Sequence, residues 1–432
     1  MDPVPPTRRP AAPGGPTVSP PTDAAAIRRR NLGLVLGHLA DHGPCPRTEV
    51  AAATGLAHGS VTALVADLAD RGLVAEDDAQ RSGARGRPGR PLRLVPGRAA
   101  VAAIQVTSEQ LRVAVCDLAG GIIWRDAIAH DLAPGTPRAM AAAIASIIAR
   151  ATATLPESVP APILARAVIA MAGPVLDDPG QTVVVAPNFG WLESVPLRDL
   201  IAAHLPAPAV AIDVINDANA AALAEFHARP GDSRGLVLIE AGTGIGGGVV
   251  LDGRIHTGSH GIAGEPGHVP VAMSGPDCVC GARGCLVTFA GPEAVLESAG
   301  LTALLHSQGL HAAHSELLSM LRQSAPQALS AMDAAAAAIS TAILSITALL
   351  DTDEVVLGGL LADWFPWIAP TIENHLRGRR ALAPTLGLRI APAVLGDDAI
   401  LVGALGFARR AVLADPAVVP PLPILRVAED SR

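Results

Sequence analysis

Three cysteines lie together late in the chain, in the run Cys278-Val279-Cys280-Gly281-Ala282-Arg283-Gly284-Cys285, and His268 precedes them by ten residues. The pattern His-x9-Cys-x-Cys-x4-Cys offers three thiolates and one imidazole, the donor set of a roughly tetrahedral zinc site. Gly281 and Gly284 permit the tight turns that make the sulfurs converge. Four protein ligands leave no open position. The zinc expected at His268, Cys278, Cys280 and Cys285 is therefore structural, not catalytic. Cys45 and Cys116 are isolated in the sequence and are expected to be inert. Five cysteines in 432 residues make no disulfide framework, which fits a reducing compartment, and a cytoplasmic location is expected.

A second group is basic. Residues 81–98, RSGARGRPGRPLRLVPGR, hold six Arg and no acid. The stretch Gly86-Arg87-Pro88-Gly89-Arg90-Pro91 is expected to be extended and flat, and to fit a narrow minor groove whose negative potential attracts Arg. It follows three short helical patterns. Leu32, Val35, Leu36 and Leu39 mark the first, which stops at Asp41-His42-Gly43-Pro44. Residues 47–53 form the second. Val61, Leu64, Val65 and Leu68 form the buried stripe of the third, from about His58 to Arg71. Two short strands, Leu73-Val74 and Leu92–Val95, flank the Arg segment. Three helices and a two-stranded wing make a winged helix-turn-helix. Its third helix is expected in the major groove of double-stranded operator DNA, presenting His58, Ser60 and Thr62. The wing is expected to supply Arg81, Arg85, Arg87 and Arg90. A three-helix bundle with a solvated basic linker remains the plainer alternative.

A third group combines glycine with carboxylates. Gly242-Thr243-Gly244-Ile245-Gly246-Gly247-Gly248 is followed by Leu251-Asp252-Gly253, then by Gly264-Glu265-Pro266-Gly267-His268 and the cysteine cluster. Upstream stands Asn216-Asp217-Ala218-Asn219-Ala220-Ala221. In this order the segments resemble the ROK family (repressors, open reading frames, kinases) over residues 99 to about 415. The helix-turn-helix in front resembles the family's repressor branch. The resemblance implies a two-lobed, actin-like (ribonuclease H-like, sugar-kinase-like) α/β fold with a sugar between the lobes. By that resemblance Asp217 matches the residue that takes a proton from the sugar hydroxyl in the kinases, with Asn216 beside it. Glu265 matches a holder of sugar hydroxyls, His268 both ligates zinc and approaches the sugar, and Gly173 lines the same site. Carboxylates and an Asn amide suit a polyol, and a metal fixes the imidazole tautomer. From the residues alone, Asp217 could instead cap the helix that follows it, and Glu265 could be a surface loop acid.

Two departures from the kinase pattern bear on activity. Where the family's kinases carry Asp-x-Gly-Gly-Thr, this chain has Gln105-Val106-Thr107-Ser108-Glu109. Side chains there block close approach to phosphates, Glu109 repels them, and a magnesium ion loses a carboxylate. The chain is therefore expected not to be an enzyme. The family's Cys-Leu-Glu is here Cys285-Leu286-Val287, which removes a sugar-binding carboxylate. Three functions follow: a regulator that senses a sugar or sugar derivative, an active sugar kinase with an accessory DNA-binding domain, and a regulator whose sugar cleft is vestigial. The first is preferred, binding operator DNA and assembled as a homodimer or homotetramer.

These groups need elements to position them. The expected order is a disordered leader over 1–23, the winged helix-turn-helix over 24–98, a two-lobed domain over 99–415 and a tail over 416–432. Strands are expected at Val101–Val106, Leu111–Asp117, Ile122-Ile123, Ala167–Ala170, Ala209–Val214, Leu236–Glu240, Gly247–Leu251, Glu354–Leu357 and Leu388–Ala391, with a helix from Asp217 to about His227. Half the residues are apolar but only 2% are aromatic, so Ala, Val, Leu and Ile must build the cores. All 32 basic residues are Arg, which excludes P-loop lysine and Schiff-base chemistry. The net charge of −8 divides unevenly: +4 over 24–98, zero over 1–23 and −12 over 99–432. A basic head on an acidic body fits a nucleic-acid module joined to a different function. The Pro-rich start lacks an apolar core, so no signal peptide is expected. Ala334–Leu350 lacks charge but is short and Ala-rich, so a buried helix is expected and no membrane partner.

Overall fold

A computed structural model describes residues 23–77, 90–157, 161–206, 210–229, 233–382 and 387–423. The expected leader, the wing residues Arg81, Arg85 and Arg87, and the end of the tail lie outside the described residues.

The chain opens with three helices, α1 (Ala24–His42), α2 (Arg47–Thr54) and α3 (His58–Asp70). Asp23 caps α1 by accepting from the Ala26 amide, and Gly55 ends α2 in the left-handed conformation. The buried residues of α1 and α3 are those of the expected stripes. Strands β1 (Val74–Glu76) and β2 (Leu92–Leu94) pair antiparallel, and Cys45 pairs with Leu92 on the far side of β2. The wing thus has a third, single-residue strand that the sequence pattern does not reveal.

The first lobe follows: β3 (Ala99–Val106), β4 (Gln110–Asp117), β5 (Ile122–Ala129), α4 (Pro137–Ala153), β6 (Ile163–Met171), the short pair β7 (Thr182–Val183) and β8 (Val195–Pro196), α5 (Leu197–Ala202) and β9 (Ala211–Asn216). Its sheet runs β5-β4-β3-β6-β9, antiparallel on the β4 side and parallel on the β6 side. Helix α6 (Asp217–Ala228) leads to the second lobe, with β10 (Gly235–Ala241), β11 (Ile245–Leu251), β12 (Arg254–Ile255), α7 (Val287–Ala290), α8 (Pro292–Ser298), α9 (Thr302–Arg322), α10 (Pro326–Leu350), β13 (Glu354–Gly359), α11 (Leu360–Leu382) and β14 (Arg389–Pro392). The second sheet runs β12-β11-β10-β13-β14 and repeats the mixed pattern of the first. Helix α12 (Ala399–Ala414) returns to the first lobe. Two like sheets joined by crossing helices are the α/β architecture the sequence predicts.

Helix α10 is long and apolar enough to cross a membrane by length and composition. Its Ala335, Ala336, Ile339 and Ile343 are buried in the second-lobe core, packed with Trp364 and Ile368 of α11.

The head shares its core with the body. One apolar cluster joins Leu32, Val35 and Leu36 of α1, Leu405 and Val412 of α12, and Val101 and Ala103 of β3. Two close approaches fix this stack. A Cβ at Gly33 would strike the Ala414 carbonyl of α12, and a Cβ at Gly403 of α12 would strike the Ala220 carbonyl of α6. Polar ties add to it. The Arg71 side chain donates to the carbonyls of Ala417 and Val419, and Arg98 donates to those of Arg71, Ala161 and Pro420. Arg98, the last of the six Arg in 81–98, is only 5% exposed and stitches the domains together instead of facing DNA.

Candidate functional site

A cleft of about 410 Å³ lies where the carboxyl ends of β3, β6 and β9 meet the glycine turn between β10 and β11. Gly173, Asn216, Asp217 and Glu265 line it together. The parallel register explains the first three. Val106 pairs with Met171 and Met171 with Asn216, so the residues just after each strand emerge side by side.

Asn216, not Asp217, caps α6. Its Oδ1 accepts from the Asn219 amide at 2.9 Å, and its Nδ2 donates to the Gly173 carbonyl at 3.0 Å. Gly173 itself has a φ of 106°, and a Cβ there would strike the Val185 carbonyl. The amide of Asn216 therefore bridges two strand ends. Asp217 accepts from the Ala218 amide at 2.8 Å through Oδ1, and lines the cleft from the first turn of α6.

Glu240, at the end of β10 just before Gly242, is a cleft residue the sequence reading missed. Desolvation pushes its carboxyl up to about 7, and the nearby Asp217 charge adds to the rise. Desolvation also pushes Asp217 up, and Glu265 rises through burial and then the charge of Asp217. Three acids thus share one partly buried wall, where hydroxyl donors would relieve them. The sequence signal was an acid at a strand end entering a glycine turn. Its weight appears only once β9 brings Asp217 beside it.

The segment Gln105–Glu109 spans the end of β3 and the turn after it, and its Val106, Thr107 and Ser108 line the same cleft. Gln105 is buried and its Oε1 accepts from Arg112 at 3.0 Å. Arg112 also donates to the Asp397 carbonyl at 2.7 Å and to Asp398 at 2.8 Å. This polar clamp ties β3 and β4 to the segment before α12, and its side chains are not among the cleft-lining residues. Val287, the first residue of α7, packs with the second-lobe core beside the glycine turn.

Glu265 leads into a single 3-10 turn, Pro266–His268, and the His268 amide donates to the Glu265 carbonyl at 3.1 Å. His268 is not among the cleft-lining residues. Its imidazole joins the cysteines: the ligand atoms of His268, Cys278, Cys280 and Cys285 lie within 4.8 Å of one another. His268 Nδ1 is 3.5 Å from Cys278 Sγ, and Cys280 and Cys285 are 3.7 Å apart at sulfur. Gly284 has a φ of 69°, and a Cβ there would strike the Ala272 carbonyl, so the turn between Cys280 and Cys285 requires glycine. This cluster can hold a metal ion, with Nδ1 toward it.

On the other side of Asn216 a larger cavity, about 1020 Å³, lies between head and body. Gly33, Gly37 and Asp41 of α1 face Asn216, Asn219 and His227 of the α6 region and Arg409 and Arg410 of α12 across it. Asn216 lines both spaces.

In the head, His58, Ser60 and Thr62 are exposed along the first turns of α3, and Thr62 Oγ1 donates to the His58 carbonyl at 3.1 Å. Arg90 is exposed at the start of β2, whereas Arg93 pairs with Asp77 at 2.7 Å.

Residues 101–411 match the ROK family. The chain belongs to the ROK family. Residues 33–87 match the MarR family of winged helix-turn-helix domains. Among curated relatives, the ROK chain is 25% identical to the xylose repressor of Bacillus spizizenii over 388 residues, covering 88% of this chain and 95% of the repressor. It is 35% identical to the N-acetylmannosamine kinase of Vibrio cholerae over 197 residues, 45% of this chain and 64% of that kinase. The solved structure of a ROK family transcriptional regulator, a homologue of the Escherichia coli MLC protein, superposes with a TM-score of 0.75 at 23% identity, covering 91% of this chain and 98% of that one. The fold match therefore runs through both head and ROK domain.

Proposed function

We propose that this ROK protein is a transcription regulator, a repressor in the first instance, of carbohydrate metabolism, and that it has no kinase activity. The observation that carries the reading is the continuous stack from the cleft to the head. Helix α6 begins at the cleft acids, α12 packs on α6 through Gly403, and α1 of the head packs on α12 through Gly33. A sugar that changes how α6 sits has a packed route to the DNA-binding helices. Such a ligand alters DNA affinity only insofar as it binds one arrangement better than the other.

Asp217, Glu240 and Glu265 accept hydroxyls of a sugar or sugar derivative in this proposal. Asn216 and Gly173 shape the wall. Val287 in place of a carboxylate favours a ligand with fewer polar groups at that side. His268 with Cys278, Cys280 and Cys285 holds structural zinc, whose donor set matches the cluster, and orients the loop that carries Glu265. The head over 24–98 reads operator DNA as part of a homodimer or homotetramer in the cytoplasm, with the ROK body over 99–415. His58, Ser60 and Thr62 approach base edges or phosphates, and Arg81, Arg85, Arg87 and Arg90 reach the minor groove.

Thr107 and Ser108 support the absence of phosphoryl transfer, because they line the cleft with side chains where the family's kinases carry two glycines. The test has two arms. Purified protein binds DNA from its own promoter region with steep salt dependence, and an ATP-coupled assay over hexoses and amino sugars shows no turnover. Turnover that vanishes in Asp217→Asn would instead make the chain a kinase, a reading favoured by the raised Asp217 carboxyl, suited to take up a proton.

A further inference from the structure

The winged head holds a second group of metal-binding side chains, remote from the cysteine cluster of the ROK domain. His38 stands in the last turns of α1, Cys45 in the connection to α2, and Glu49 in the first turn of α2. One ring nitrogen of His38, the Cys45 sulfur and a Glu49 carboxylate oxygen lie within 4.8 Å of one another. The sequence separates them by seven and four positions; the turn at Gly43-Pro44 folds them together.

The positions of these groups are set by the backbone. Cys45 exchanges two hydrogen bonds with Leu92, at 3.1 and 2.8 Å, which locks it onto the wing. The Glu49 amide donates to the Pro46 carbonyl at 2.9 Å, which sets the first turn of α2. The His38 ring stacks on His42 with centroids 4.4 Å apart. The cation nearest in sequence is occupied elsewhere, since Arg47 pairs with Glu76.

One further observation points to a ligand. Nε2 of His38 is buried and has no hydrogen-bond partner among the described residues. A buried imidazole nitrogen without a partner is unfavourable, and native structures fill such positions with a proton partner, a water or an ion. Here a thiol and a carboxylate stand beside the same ring.

We propose that His38, Cys45 and Glu49 bind a transition-metal ion of borderline softness, such as Zn²⁺, Co²⁺ or Ni²⁺. Imidazole and thiolate together select this class over Mg²⁺ or Ca²⁺. Three protein ligands leave a coordination position open to water, unlike the four-ligand cluster of the ROK domain. Binding releases the thiol proton of Cys45. The ion would tie the end of α1, the connection to α2 and, through Cys45 and Leu92, the wing. It would make the helix-turn-helix sensitive to metal supply independently of any sugar.

The experiment titrates Co²⁺ into the full-length, metal-stripped protein and reads thiolate-to-cobalt absorption and metal content per chain. Wild type is expected to bind one equivalent more than Glu49→Gln or His38→Gln, or to bind that equivalent more than about tenfold more tightly. Glu49 is exposed and His38 only part-buried, so both variants avoid the core position of Cys45. Circular dichroism and the melting temperature without metal confirm their folding. Equal stoichiometry and equal affinity in wild type and both folded variants would overturn the proposal. An added ion should also raise the wild-type melting temperature by more than it raises that of either variant.

Discussion

Glu240 carries the clearest consequence at the scale of single residues. Its carboxyl ordinarily titrates near 4.5 and is pushed up to about 7 in the cleft. Between these values the folded state holds a proton that the unfolded state has released. Its stabilising contribution is therefore complete at acid pH and is lost as pH rises through about 7. Replacing it by Gln removes that loss. The melting temperature of Glu240→Gln should exceed that of wild type by more at pH 8 than at pH 5, by ~1–2 °C for each kcal/mol involved. A gap that does not change with pH would contradict the burial argument. Asp217→Asn should abolish any sugar-induced rise in melting temperature and leave DNA affinity without sugar unchanged. Part of this site was legible: Asp217 and Glu265, named from their motifs, line the cleft, whereas His268, expected to approach the sugar as well as the cysteines, lies with the cysteines and is not among the cleft-lining residues. Glu240 did not, because its role depends on β9 and β10 meeting across more than twenty residues of sequence. The capping role that stood as the plainer alternative for Asp217 falls one position earlier, on Asn216. An Asn-Asp pair offers two capping side chains, and only the backbone angles decide between them.

Helices α1, α6 and α12 bear the argument at the scale of elements. Gly403→Ala and Gly33→Ala each place a methyl against a backbone carbonyl, so the helices must separate. Each should destabilise the protein by ~1–3 kcal/mol, read as a lower denaturant midpoint. They should also weaken the effect of sugar on DNA binding more than they weaken sugar binding itself. Arg98→Ala should loosen head from body in hydrogen exchange along α1, since Arg98 joins Arg71, Ala161 and Pro420. The elements themselves were largely readable, because apolar periodicity marks each helix stripe of the head. Strand ends ran short in the reading: β5 extends to Ala129 and β6 starts at Ile163. The adjacent charged residues Arg125 and Asp126 break the apolar run that marks a buried strand, and pairing with β4 carries β5 onward. Nor could the sequence reveal that residues 416–423 lie against α3 and α1, since those contacts join the two ends of the chain.

Over the whole molecule the charge pattern and the shared core act together. The acidic body is repelled by DNA, so contact concentrates on the basic head. Phosphate neutralisation then gives a steep fall in affinity with salt, and Arg90→Ala should reduce the slope of log K against log salt by ~1. The shared core means that the head moves with α12 and not on a free linker. In the proposed function, occupancy of the cleft alters DNA binding through this stack. The most direct measurement takes a sugar that raises the wild-type melting temperature and determines the Kd for promoter DNA with and without it, at fixed salt, in wild type and Asp217→Asn. A shift of ~5-fold or more is expected in wild type and none in Asp217→Asn. A sugar that stabilises the protein yet leaves the wild-type Kd unchanged would contradict the proposal.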